Sequence, residues 1–306
     1  MENFEVEIDK EIIKEVANII SSLSLKRDKY DNPDFFPPYD ADKELQLSFF
    51  TVMVAIDYRT RNDFTNFEAY IDGKHLFGAD LLYYLGMKLF KKNPRLFLPE
   101  NLTKIHLEEW KDLLGYGKVK LWDYKLRLFL IWDIGKKVLE FYSSFEKLFS
   151  VSTIEEFRKR MKIFRAYEDP VEKKTFLLAK FLEGRGLVKF VDSENFEVAV
   201  DNHLSRIAIR IGIVKFSNYS FIERGIEVSR DDDIKIRFKI REAWKIVSNL
   251  SGVDPFTLDD FLWSFGRNIC TLNEPKCDLC PFKEKCLANA LGKYFPEHKH
   301  LITWYY

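Results

Sequence analysis

FLWSFGRNICTLNEPKCDLCPFKEKC, residues 261–286, carries all four cysteines of a 306-residue chain, spaced C-x6-C-x2-C-x5-C. Thiols confined to so short a stretch need a common purpose. A disulfide framework is the first candidate, because closely spaced, even-numbered cysteines staple small secreted domains. It fits poorly, since a chain of 306 residues can bury a core without staples. The N-terminus is the polar MENFEVEIDKE, where a secretory leader would show a basic stretch and then an apolar run. Reduced, metal-bound sulfurs in an intracellular protein are the stronger expectation. Structural zinc sites usually present two short ligand knuckles far apart in sequence. Here one C-x2-C is flanked by longer arms, a single loop wrapped around one compact object. That pattern favours a [4Fe-4S] cluster held by Cys270, Cys277, Cys280 and Cys286, with zinc, or thiols without metal, as the alternatives.

At 46% hydrophobic residues the chain has material for a sizeable core, expected in two lobes. Its 48 acidic residues balance 48 Lys and Arg. A duplex-DNA binder of zero net charge must gather its basic side chains on one face, because affinity comes from neutralising phosphates. No apolar run approaches the roughly 18 residues of a membrane helix, so a cytoplasmic protein with no membrane partner is expected, as a monomer.

Apolar positions at three- and four-residue spacing predict helices over 8–24 and 41–57, joined by the proline-rich connector KYDNPDFFPPYDA, 29–41. Further helices are expected over 78–91, 106–114, 120–149, 153–164, 170–184, 201–213, 233–250 and 255–268, and within the last stretch FLWSFGRNIC (261–270) reads as an amphipathic helix ending at Gly266. The one predicted hairpin joins 186–191 to 196–200 around Asp192-Ser193-Glu194-Asn195. His298-Lys299-His300 reads as an exposed tail with too few ligands for a metal.

The 261–286 segment resembles the cluster loop of the helix-hairpin-helix DNA glycosylases of the endonuclease III and adenine glycosylase type. The likeness lies in the cysteine spacing, in Gly266 and in Cys280-Pro281. A second segment, AVDNHLSRIAIRIGI (199–213), is similar to the family's helix that opens on a catalytic aspartate followed by His and Arg, here Asp201, His203 and Arg206. An Asp at a helix N-terminus accepts backbone N–H bonds at the positive end of the helix dipole. Beside an anomeric carbon, its carboxylate can stabilise an oxocarbenium-like transition state or position the nucleophile. The ordinary alternative is a plain N-cap, worth about 1 kcal/mol.

EDPVEKKTFLLAKFL (168–182) stands where bifunctional members of that family carry a nucleophilic lysine after a glycine-rich hairpin, matching Lys174 with Lys173 adjacent. Such a lysine attacks C1′ and forms a Schiff base, provided burial or nearby cations lower its pKa. The chain departs from the pattern twice. Pro170, Val171 and Glu172 replace the hairpin's Gly-x-Gly, and the separation of Lys174 from Asp201 exceeds the family's usual one. FFTVMVAIDYRTRNDF (49–64) corresponds to the segment lining the base pocket, which makes Asp57, Tyr58 and Arg59 expected substrate contacts, Tyr58 by stacking. The resemblance adds His203 as a substrate contact, and Lys276 on the cluster loop as a phosphate contact beside Lys283 and Lys285.

The resemblance implies an all-α, two-lobed fold with a helical barrel over 41–185 and a cluster lobe combining 1–40 with 186–306. The implied function is a base-excision DNA N-glycosylase, with or without lyase activity, that takes a damaged base from duplex DNA. A looser likeness over 164–266 to the queuosine salvage proteins supplies a rival, a nucleosidase acting on a modified nucleoside or RNA through the same Asp201. A noncatalytic nucleic-acid-binding module is the third possibility.

Overall fold

The computed structural model describes residues 4–60 and 66–306. It is mostly helical and divides into two compact units, Lys29–Asn195 with Trp304–Tyr306, and Phe196–Thr303 with the N-terminal residues up to Asp28.

Helix Lys43–Ala55 is the axis of the first unit. Every residue from Gln46 to Ala55 is buried, so this helix carries no amphipathic stripe and is enclosed on all sides. Asp42 starts it by accepting the Leu45 N–H at 3.2 Å. Helices Ala79–Lys92, Tyr124–Phe141 and Lys173–Gly184 pack around it. Phe36, Phe50, Tyr83 and Phe181 interlock at centroid distances of 5.7–6.0 Å, which explains part of the chain's high phenylalanine content. The helix expected over 120–149 is two, Tyr124–Phe141 and Phe145–Leu148, broken where Ser143 turns to φ 69° and Ser144 caps the next turn through the Lys147 N–H.

The strands of this unit lie elsewhere than predicted. Residues 186–191 form no hairpin with 196–200. The Val188 and Val191 N–H groups donate instead to the carbonyls of Leu182 and Ser152, and Ser193–Asn195 closes a 3-10 turn. A hairpin does form between Glu68–Ile71 and Lys74–Phe77, around Asp72 and Gly73 at φ 50° and 77°. Asp-Gly between alternating apolar residues is the sequence signal for this turn and could have located it. A shorter pair joins Gly115–Tyr116 to Val119–Lys120.

In the second unit, strand Val6–Ile8 pairs antiparallel with Val214–Phe216, and helix Lys10–Ser22 packs on Arg230–Ser251. Helix Asn202–Ile211 packs on Pro255–Asn268, which opens with Asp254 capping two N–H groups and proline at the first turn. Gly266 does not end that helix. It lies within it at a close approach, where an added Cβ would stand 2.8 Å from the His203 Cβ. Nor is His298-Lys299-His300 an exposed tail. The segment is extended, Val228 donates its N–H to the Lys299 carbonyl, and period two sends Lys299 outward and both histidines inward, to 1% and 8% exposure. Among the described residues no helix is long and apolar enough to cross a membrane.

Candidate active site and cluster loop

The last carbonyls of helix Lys43–Ala55 and the residues after it have no intrahelical partners and carry the negative end of the helix dipole. Three basic side chains gather there. Lys174 Nζ donates to the Ala55 carbonyl at 2.5 Å and Lys173 Nζ to that of Asp57 at 3.2 Å. Arg127, wholly buried, donates to the carbonyls of Ile56, Tyr58 (3.0 Å), Arg59 (3.1 Å) and Trp122 (3.0 Å). Both Lys174 Nζ, at 4.6 Å, and the Arg127 guanidinium, at 3.8 Å, lie over the Tyr58 ring, whose hydroxyl donates to Asp123 Oδ2 at 2.9 Å. Burial pushes the Lys174 amine well below the ordinary lysine value, and the neighbouring charges of Lys173 and Arg127 push it further. Asp169, buried just before the same helix, is pushed by its burial up to about 6.

Lys174 therefore has the first property of an amine nucleophile, a neutral form easier to reach than that of an ordinary lysine. It lies at the start of helix Lys173–Gly184, whose N-cap is Glu172 at φ 59°. A glycine would adopt that angle without cost. Here a glutamate does, and its carboxylate is buried against Arg158 (3.1 and 2.5 Å) and Lys162 (3.3 Å). Tyr58, expected to offer a stacking face, is 2% exposed and lies beneath the Arg127 guanidinium and the Lys174 amine instead. Asp57 and Arg59 are half-buried beside it. Residues 61–64 of that stretch lie outside the described residues.

Asp201 opens helix Asn202–Ile211. Its Oδ1 accepts the Leu204 N–H at 2.9 Å and its carbonyl accepts the Ser205 hydroxyl at 2.7 Å. Among the described residues Oδ2 has no hydrogen-bond partner, so the cap leaves one carboxylate oxygen uncommitted. His203 Nδ1 accepts from Arg206 at 2.9 Å, which places the ring's proton on Nε2, and burial lowers its pKa. Arg206 also donates to the carbonyls of Gly266 (2.8 Å) and Cys270 (3.0 Å) and pairs with Glu297 at 2.8 Å.

One turn later Arg210 grips the cluster loop, donating to the carbonyls of Thr271 (2.6 Å) and Leu272 (2.7 Å) and to Cys270 Sγ at 3.4 Å. The Cys286 thiol donates back to the Arg210 carbonyl at 3.1 Å. The four free thiols line one pocket whose other walls include Ile211, Phe265 and Tyr294. Burial raises Cys280 to about 11 and raises Cys286 as well, with the other cysteines adding to both shifts. Among the described residues no three His, Cys, Asp or Glu side chains form a group able to hold a single metal ion, although the thiols share the pocket. Four sulfurs in apolar walls with an arginine at one of them fit a sulfur-ligated metal group. Lys276 is exposed at this loop, whereas Lys283 and Lys285 pair with Asp278 (2.7 Å) and Glu15 (3.2 Å).

Arg127, Asp169 and Arg210 are absent from the candidates read out of the sequence. Periodicity marks Arg127 and Arg210 as polar positions on amphipathic helices, and only the packing shows both turned inward.

The fold is of the DNA-glycosylase class. An 8-oxoguanine DNA glycosylase from Pyrobaculum aerophilum, crystallised with 8-oxoguanosine, superposes with a TM-score of 0.53 over 96% of this chain and 100% of its own, at 14% identity. Local sequence similarity agrees with that class. The chain is 28% identical over 89 residues to an endonuclease III homolog of Encephalitozoon cuniculi and 30% identical over 89 residues to endonuclease III of Rickettsia felis. It spans about a third of the length of these curated relatives, 29% and 32%. No family model matches the chain.

Proposed function

We propose that this chain is a base-excision DNA N-glycosylase that flips a damaged base out of duplex DNA and cleaves its N-glycosidic bond, with Lys174 as nucleophile and Asp201 as the electrostatic partner. The observation that carries the reading is the Lys174 amine, fully buried at the start of its helix with its pKa driven down, within a glycosylase fold. The neutral amine attacks C1′. As the new C–N bond forms, the bond to the base breaks and the base leaves with the electron pair and acquires a proton. The sugar carries positive charge in between, and the uncommitted Oδ2 of Asp201 stabilises it. Loss of the amine proton and ring opening then give a Schiff base. Asp57, Arg59 and His203 serve as substrate contacts, and Lys276 meets the phosphates. Cys270, Cys277, Cys280 and Cys286 hold a [4Fe-4S] cluster, which supplies a structural clasp for the C-terminal loop.

One observation favours the rival nucleosidase reading. A buried Glu172 at φ 59° stands where the family's open glycine hairpin would bring backbone N–H groups to a DNA phosphate. A single experiment separates the two. The protein is incubated with duplexes carrying 8-oxoguanine, oxidised pyrimidines, uracil or an abasic site, and with free nucleosides, with and without borohydride. The fold neighbour's 8-oxoguanosine makes an oxidised purine the first lesion to try. Base release from a duplex, with a borohydride-trapped protein–DNA adduct lost in Lys174→Ala, is the expected outcome. Release only from free nucleosides would replace this reading by the rival.

A further inference from the structure

His298 and His300 take no part in base release as proposed, yet both rings are buried in a chain of contacts that ends at Asp201's two neighbours. His298 Nε2 lies 2.7 Å from Asp233 Oδ1, and the same oxygen accepts from Arg237 Nε at 2.8 Å. Arg237, with no exposed surface, extends one nitrogen to Asn202 Oδ1 at 2.7 Å and another to the Val200 carbonyl at 3.4 Å. His300 Nε2 reaches that same Asn202 Oδ1 at 3.3 Å, and its Nδ1 faces the Leu301 carbonyl at 2.8 Å. Val200 and Asn202 flank Asp201 in the chain, so the contacts converge on the peptide units to either side of it.

A buried ionic network is a poor way to gain stability, because desolvating its charges offsets most of their attraction and an apolar replacement often serves as well. Its distinctive effect is directional, since each hydrogen bond fixes one acceptor in one place. Burial keeps the His298 ring neutral, and its unpartnered Nδ1 fits a tautomer whose proton sits on Nε2 and points at Asp233.

We propose that Asp233, Arg237, His298 and His300 are positioning residues for Asp201. Through the Asn202 side chain and the Val200 carbonyl they lock the backbone around it, so that its Oδ1 stays on the Leu204 N–H and its Oδ2 stays uncommitted. The catalytic consequence rests on the glycosylase reading, whereas the positioning itself does not.

The test uses the full-length protein and follows amide hydrogen exchange at Leu204, whose N–H is held by Asp201. Asn202→Ala removes the shared acceptor, Asn202→Asp keeps an acceptor oxygen, and His300→Ala with His300→Gln repeats the comparison should the first variant fold poorly. Leu204 exchange should quicken about tenfold in each alanine variant and recover in Asn202→Asp and His300→Gln, while Ile207 and Ile209 exchange as in the wild type. Base release from an 8-oxoguanine duplex should slow in parallel at unchanged DNA affinity. Unchanged Leu204 exchange in both alanine variants would overturn the proposal, as would loosening that extends evenly to Ile207 and Ile209. Quickened exchange at Leu204 with base release unaffected would uphold the positioning and remove Asp201 from the chemistry.

Discussion

Asp201 uses one carboxylate oxygen to cap its helix and leaves the other uncommitted, so its structural and catalytic parts are separable by charge. Asp201→Asn keeps an oxygen able to accept the Leu204 N–H and removes the charge. Base release should fall at least about 100-fold with little change in melting temperature, as expected for loss of one well-placed electrostatic group. Full activity in a well-folded Asp201→Asn protein would remove Asp201 from the chemistry and point to a differently organised site. At Lys174 the proton is the variable. Removing a neighbouring positive charge by Lys173→Ala should let the Lys174 pKa rise, so the acid limb of borohydride trapping against pH should move to higher pH. An unmoved limb would mean that the Lys173 charge plays no part in depressing the amine.

Elements carry these residues into place, and the tightest junction is that of Asn202–Ile211 with Pro255–Asn268. Gly266→Ala would gain helix propensity of about 1 kcal/mol in an unobstructed helix. Its new Cβ meets the His203 Cβ at 2.8 Å, an atom fixed to a packed helix, so sterics should win. Overpacking of this kind costs about 1–3 kcal/mol, and denaturant unfolding should show a net loss. The cluster loop depends on the same helix through Arg206 and Arg210. Purified anaerobically, the protein should be yellow-brown with broad absorbance near roughly 400 nm, and Cys277→Ser or Cys280→Ser should bleach it and lower the soluble yield. A colourless protein with stoichiometric zinc would replace the cluster by a zinc site.

Acid should destabilise the molecule as a whole through its buried histidines. Burial lowers His298, and takes His300 to about 4, whereas an unfolded histidine titrates near 6.5. The unfolded chain then binds more protons in that interval, so stability is complete above roughly pH 6.5 and falls as the pH drops toward the folded values. For His300 alone the linkage is about 3 kcal/mol. Asp233 acts in the same direction at lower pH. Burial opposes its ionisation, but Arg237 and His298 hold its carboxyl far below the usual range, and that stability is lost as pH falls below the unfolded aspartate value. Asp169 acts oppositely, because a folded value near 6 favours the folded state as pH falls from there toward about 4. Melting temperature should therefore drop between pH 7 and pH 5, and Asp169→Asn, which removes the opposing group, should make the drop steeper. A flat profile in the wild type would contradict the buried, neutral histidines. Zero net charge makes duplex binding a question of distribution, so affinity should weaken steeply with salt if basic residues are gathered on one face.

Local patterns determined much of this protein before any packing is considered. The helix periods, the Asp201 and Asp254 caps and the single short cysteine loop depend on residues a few positions apart, and the structure realises each of them locally. Resemblance to the glycosylases likewise rests on contiguous motifs. What only the tertiary structure decided are matters of which way a polar residue turns. Arg127 reads as one more charge on an amphipathic helix until the carbonyls of a helix some seventy positions earlier converge on it. Tyr58 reads as a stacking face until the side chains of Arg127 and Lys174 lie over it. His298 and His300 read as a tail until Asp233, Arg237 and Asn202 supply partners from distant segments. In each case a polar group is tolerable inside only when distant partners satisfy it, and no sequence window contains those partners.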